Sequence, residues 1–256
     1  VPVDITRSEF LDEVWDYRPG EHVLTVAPTG AGKSYLNWQL LERALEFNPG
    51  LRLVTFMPKP ADPTTVSNAR RLGLKEVPTW PPKPPRFWEE KPAGYVLWPP
   101  HPHGPGIDTR ARREAVGAEL RKGLEDQYWR GHSISFIDDA HSAAAMMDLN
   151  PQIEETLTNG RAGGSGIWLA TQKPSGTVSG GGLTTFAYNS ASKMFFSKDA
   201  DKRNLERLSE IGAGFDPKEV EGWIRNLRMF QIQGHPVGEF LYLDRSGPYA
   251  ARILPW

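Results

Sequence analysis

The sequence predicts an α/β fold: a central, mostly parallel sheet with helices on both faces. Three observations carry that expectation. A short apolar run at 22–27 feeds a glycine-rich turn and then an amphipathic helix. A second apolar run follows at 51–57, which completes a strand–loop–helix–strand unit. Two more short apolar runs, 133–137 and 166–170, recur further along between helical patterns.

Residues 22–27 (HVLTVA) are apolar and β-branched almost throughout, as a strand buried on both faces requires. In 35–47, Leu36, Leu40, Leu41, Ala44 and Leu45 recur at helical spacing, and Asn48-Pro49-Gly50 stops the helix. Many of the 23 prolines fall within 58–105. Proline lacks the N–H and fixes φ, so this stretch is expected to be irregular, with GYVLW (94–98) its one strand. It reads as an insertion packed by its own aromatics. A polyproline-II surface for a partner is the other reading.

Residues 108–130 form a helix, with Asp108 as its N-cap and Val116, Leu120, Leu124 and Tyr128 as its stripe. Asn150-Pro151 opens another helix that ends near 159–160. A strand at 193–196, helices at 201–211 and 217–227, and the runs MFQIQ, EFLYL and AARIL complete the chain. The last runs suit a C-terminal antiparallel hairpin. No internal repeat is visible.

With 256 residues the chain has room for one sizeable domain. A formal net charge of -1 excludes a global basic field, so nucleic acid would need a local patch or several copies of the chain. The absence of cysteine excludes disulfides and thiolate metal sites. No apolar run approaches the ~20 residues of a membrane helix, and charges interrupt the first residues. The expected setting is cytoplasmic, in a bacterial or phage-infected cell.

Residues 27–34 read APTGAGKS, the P-loop pattern with Ala27 in place of the first glycine. Gly30 and Gly32 let backbone N–H groups turn around a phosphate, and the helix start adds its positive end. Pro28, Thr29, Gly30, Ala31, Gly32, Lys33, Ser34 and Tyr35 are the expected ATP contacts. Lys33 reaches the β- and γ-phosphates, and Ser34 holds Mg²⁺. About 100 residues later, ISFIDD ends a strand in two carboxylates. Asp138 is expected to hold Mg²⁺ with Ser34, and Asp139 to orient or deprotonate the attacking water. An acidic turn capping the next helix is the plainer reading of that pair. After the strand GIWLA, Gln172 is placed to report the γ-phosphate. Arg161, ahead of that strand, is placed to reach a neighbour's nucleotide as an arginine finger. For each of the two, a structural role is the alternative.

APTGAGKS, ISFIDD, GRAGGSGIWLATQKPSG and the closing GEFLYLDRSGPYAARIL together resemble the FtsK/HerA superfamily of DNA-pumping ATPases. The resemblance spans roughly 21–254, leaves the proline-rich stretch unmatched, and is most specific around Gln172. It departs at Asp139, where these motors usually carry glutamate. It implies a RecA-like P-loop NTPase of the additional-strand type. The implied assembly is a homo-oligomeric ring, a hexamer favoured over a pentamer, with double-stranded DNA in the pore. The implied roles are Gln172 as sensor and Arg161 as finger.

Residues 173–182 and the cluster Arg110, Arg112 and Arg113 are candidate DNA contacts. A bland loop and a solvated helix face are the competing readings. Phage DNA packaging, a small-molecule P-loop kinase and a non-hydrolysing, nucleotide-dependent assembly module are the alternative functions.

Overall fold

A computed structural model describes residues 1–88, 90–102, 108–174, 183–211, 214–232 and 235–256. The chain opens with β1 (Val3–Thr6), α1 (Arg7–Glu9) and a π-helical turn (Phe10–Val14). Next come β2 (Val23–Val26), α2 (Lys33–Phe47), β3 (Arg52–Phe56), α3 (Pro63–Arg71), β4 (Leu74–Val77) and β5 (Gly94–Leu97). The middle of the chain supplies α4 (Thr109–Arg130), β6 (Ser133–Ile137), α5 (Asn150–Asn159) and β7 (Ser165–Thr171). The remainder is α6 (Thr185–Ser190), β8 (Lys193–Ser197), α7 (Lys202–Glu210), α8 (Pro217–Asn226), β9 (Met229–Ile232), β10 (His235–Gly238), β11 (Phe240–Asp244) and β12 (Tyr249–Leu254).

The described strands form a 10-stranded sheet in the order β1-β12-β11-β8-β2-β7-β6-β3-β5-β4, and β9 and β10 pair separately. From β8 through β2, β7, β6, β3 and β5 to β4 every pairing is parallel. β7 therefore lies between the strand that feeds the P-loop and the strand that ends in Asp138, which is the additional-strand arrangement. β11 runs antiparallel to both β8 and β12, and so forms the expected C-terminal hairpin.

Alternation along each strand builds two cores. Val23, Leu53, Ile134, Phe136, Trp168 and Phe195 point to the face covered by α2 and the N-terminal arm. Leu24, Val54, Ile137, Ile167, Leu169 and Met194 point to the face covered by α4, α5, α7 and α8. The N-terminal arm is fastened by aromatic edges, with Trp15 against Trp168 at 5.5 Å and Phe10 against Tyr242 at 4.8 Å. At about 25 cal/mol per Å² of apolar surface removed from water, such contacts are ample to seat a short arm.

One expectation is corrected. The stretch 58–105 is not irregular apart from 94–98: it also holds α3 and β4. Asp62 accepts from Thr65 N at 3.1 Å and Pro63 occupies the first helical turn, so a cap and a permissive proline start α3. Within the stretch, Trp80 is buried against Tyr95 of β5 at 5.8 Å, an aromatic contact of the stretch with itself, while Phe87 and Trp88 are exposed. The edge strand β1 and its pairing with β12 were not expected from the sequence.

Candidate nucleotide site

The C-terminal ends of β2, β6 and β7 meet at one edge of the sheet, and three segments of the chain converge there. Gly30 and Gly32 both adopt left-handed backbone, φ +84° and +85°, which costs glycine nothing and a side-chain-bearing residue about 1 kcal/mol or more. That geometry turns the loop back toward the first turn of α2. The loop is tied to its neighbours through Ala27 N, which donates to Thr171 O at 3.1 Å, and Ala31 O, which accepts from Gly238 N at 3.1 Å. A Cβ at Gly238 would lie 2.8 Å from Met229 Sδ and 3.1 Å from Ala31 O. A side chain there would push the β9–β10 hairpin a few tenths of an ångström away from the loop or displace Met229.

Lys33 Nζ donates to Asp138 Oδ1 at 3.0 Å and to Asp138 O at 3.1 Å. Ser34 Oγ donates to Asp138 Oδ2 at 2.8 Å. The lysine and aspartate side chains are 11% and 4% exposed, so this is a nearly dry ion pair that needs its partners. An incidental lysine in a glycine turn would instead face water.

Asp139 is less buried and is doubly engaged. Its Oδ1 accepts from Ser142 N at 3.1 Å, and its Oδ2 lies 3.8 Å from Lys59 Nζ. Lys59 is also 3.8 Å from Asp62. The plain capping role is therefore real, and it coexists with a position beside the phosphate loop. Gln172 is exposed at the end of β7. Asp139, Gln172, Lys173, Arg203 and Arg207 line one cavity of about 520 Å³. Sequence reasoning missed Lys59 and Arg203. Lys59 stands just past β3 in the proline-rich stretch, and no spacing rule marks Arg203 on α7. A larger cavity, about 870 Å³ between Trp80, the prolines at 81–85 and Arg52, holds none of these groups.

Arg161 stands apart from Lys33. It is exposed in the turn before β7, and the 7 residues of β7 separate it from Gln172, about 23 Å at ~3.3 Å per residue. It lines a second cavity, about 740 Å³, with Glu21, Lys193 and Asp244. Lys193 Nζ lies 3.0 Å from Asp244 and 3.6 Å from Glu21. His22 accepts from Ile167 N at 3.2 Å through Nδ1. Its burial, reinforced by the nearby Arg161 charge, pulls its pKa from 6.5 down to about 4. Within one chain, Arg161 is therefore not brought to the Lys33 site.

Of the candidate DNA contacts, Arg110 is exposed and paired with Glu114 at 2.8 Å, as a solvated helix face would be. Lys173 and Pro174 border the 520 Å³ cavity, and 175–182 lie outside the described residues.

The donor set suits a nucleotide and a hard divalent cation. Ser34 Oγ and Asp138 Oδ2 are adjacent oxygens, and Lys33 is a cation able to move from carboxylate to phosphate. Among the described residues no group of three or more His, Cys, Asp or Glu is placed to hold a metal. Mg²⁺ bound with substrate phosphates needs none. Among the described residues, no helix is long and apolar enough to cross a membrane.

No known family model and no curated protein sequence matches the chain. Solved structures do. The genome packaging NTPase B204 from Sulfolobus turreted icosahedral virus 2, in complex with ATP-gammaS, is 16% identical over 93% of this chain and 99% of its own, with a TM-score of 0.57. VirB4 of Thermoanaerobacter pseudethanolicus is 12% identical over 95% of this chain and 93% of its own, with a TM-score of 0.60. The pCW3 conjugation coupling protein TcpA, with ATPgS, is 13% identical over 91% of this chain and 60% of its own, with a TM-score of 0.53.

Proposed function

From the RecA-like P-loop NTPase fold that this chain shares with B204 and VirB4, we propose that it is the motor of an ATP-driven double-stranded DNA translocase. ATP is hydrolysed between the subunits of a homo-oligomeric ring, a hexamer by preference. One observation carries the reading: Lys33 and Ser34 lie within 3.0 Å of a carboxylate more than a hundred residues away, at the strand edge where phosphate would sit. APTGAGKS, ISFIDD and the ATQ end of β7, three of the segments that resemble the FtsK/HerA superfamily, meet at this same edge.

In this reading Lys33 leaves Asp138 for the β- and γ-phosphates, and the loop N–H groups hold the phosphate oxygens. Ser34 and Asp138, freed of the lysine, would hold Mg²⁺, which would neutralise charge on the phosphates. Asp139 releases Lys59 to orient or deprotonate the water. Its side chain is one methylene shorter than the usual glutamate, so turnover is slow or the strand end shifts. Gln172 reports the γ-phosphate to the loop at 173–182. Arg161 supplies positive charge to a neighbour's nucleotide.

B204 is a genome packaging NTPase and TcpA a conjugation coupling protein, so packaging and transfer are two cargo assignments for one motor. The test is ATPase activity with and without duplex DNA, together with particle size in the presence of an ATP analogue. A motor is stimulated by DNA and assembles. A small-molecule kinase shows neither response, and that result would end the translocase reading.

A further inference from the structure

Arg7 is almost wholly buried, 5% exposed, yet its Nε and Nη2 have no hydrogen-bond partner. Leaving a guanidinium out of water without an anion or acceptor is costly, and burial lowers its pKa. Its one contact of note is a cation–π stack, with Cζ 5.6 Å from the ring centre of Tyr35. Tyr35 follows Ser34 in the first turn of α2 and is 57% exposed.

The placement follows from the topology. β1 pairs in parallel with β12, and β12 shares its direction with β2, so β1 ends at the sheet edge that carries the P-loop. Thr6 pairs with Leu254, which puts Arg7 and the terminal Trp256 at that same edge. Trp256 is exposed and packs on Phe230 of the β9–β10 hairpin at 4.8 Å. That hairpin touches the loop through Gly238 and Ala31.

We propose that Tyr35, backed by Arg7, is the shelf on which the purine base of the bound nucleotide stacks, with the hairpin and Trp256 as its outer wall. This rests on the phosphate site proposed above. A π-face flanked by a guanidinium accepts any purine and rewards its larger stacking area over a pyrimidine.

The test compares three probes, Mg·ATP, Mg·CTP and Mg·tripolyphosphate, by calorimetry on the full chain. Wild type should bind ATP about five- to 150-fold more tightly than tripolyphosphate, since stacking on one aromatic contributes on the order of 1–3 kcal/mol, and more tightly than CTP, whose smaller ring stacks less. Tyr35→Ala, an exposed change that leaves the core alone, should lose that preference while still binding tripolyphosphate as wild type does. Tyr35→Trp should keep it, and Arg7→Met should weaken ATP more than tripolyphosphate. An unchanged ATP preference in Tyr35→Ala overturns the shelf. Failure of wild type to bind tripolyphosphate at all overturns the phosphate site itself, and the shelf with it.

Discussion

Removing Asp138 should destabilise the nucleotide-free protein by more than most single substitutions do. Its carboxylate accepts from Lys33 at 3.0 Å and from Ser34 at 2.8 Å, with only 4% of the side chain exposed. In Asp138→Ala the ammonium of Lys33, 11% exposed, keeps only the main-chain carbonyl at 3.1 Å. Breaking a buried pair by deleting one partner costs about 3–5 kcal/mol. The retained carbonyl and the partial access of water bring this case to or just below the lower end, about 2–3 kcal/mol. Lys33→Ala leaves the carboxylate with the serine hydroxyl and should cost about the same. The double variant removes both charges and should cost less than the sum of the singles, by about 1.5 kcal/mol or more. Urea unfolding followed through the nine tryptophans measures all three. Costs that simply add would mean that Lys33 and Asp138 do not act on one another, and the site as described would be wrong.

Other outcomes follow from the same geometry. Asp139→Asn should still bind ATP but hydrolyse it at least about a hundredfold more slowly, general-base removal being of that order. Unchanged single-turnover hydrolysis would remove Asp139 from the chemistry. Arg161→Ala should spare nucleotide binding and lower hydrolysis. Mixing it with a Lys33→Ala subunit should restore activity, because each supplies what the other lacks; no recovery in mixed rings would count against action across subunits. His22 stays neutral in the folded state down to about pH 4, whereas an unfolded chain takes up its proton below about 6.5. Its contribution to stability therefore falls as pH drops through that window, by at most about 1.4 kcal/mol per unit. His22→Gln should flatten that part of the pH–stability curve, and an identical slope in the variant would contradict the assignment.

The phosphate loop, the Asp138 strand and the strand ending at Gln172 were legible because each combines a residue pattern with a strand boundary. The sheet order confirms the arrangement they implied. Local signals failed where long-range contacts decide the outcome. β4 carries only Leu74 and Val77 as buried residues, and its LKEV sequence joins the sheet because β5 offers it an edge. α3 did announce itself through Asp62-Pro63, but the surrounding prolines masked that cap. Lys59 and Arg7 could not be assigned from sequence: what marks them is a carboxylate 80 residues away in one case and an unpartnered buried guanidinium in the other. Asp139 shows the opposite limit, since one carboxylate carries two readings and its contact with Ser142 N bears on the capping one alone.

The most direct test is an image of the protein bound to duplex DNA with Mg²⁺ and a non-hydrolysable ATP analogue. The account predicts a ring with one nucleotide at each subunit junction. Lys33 should be on the β- and γ-phosphates, Ser34 and Asp138 at the cation, Gln172 beside the γ-phosphate and the neighbouring subunit's Arg161 facing it. A nucleotide bound away from Lys33, or a monomer that leaves DNA untouched, would contradict it.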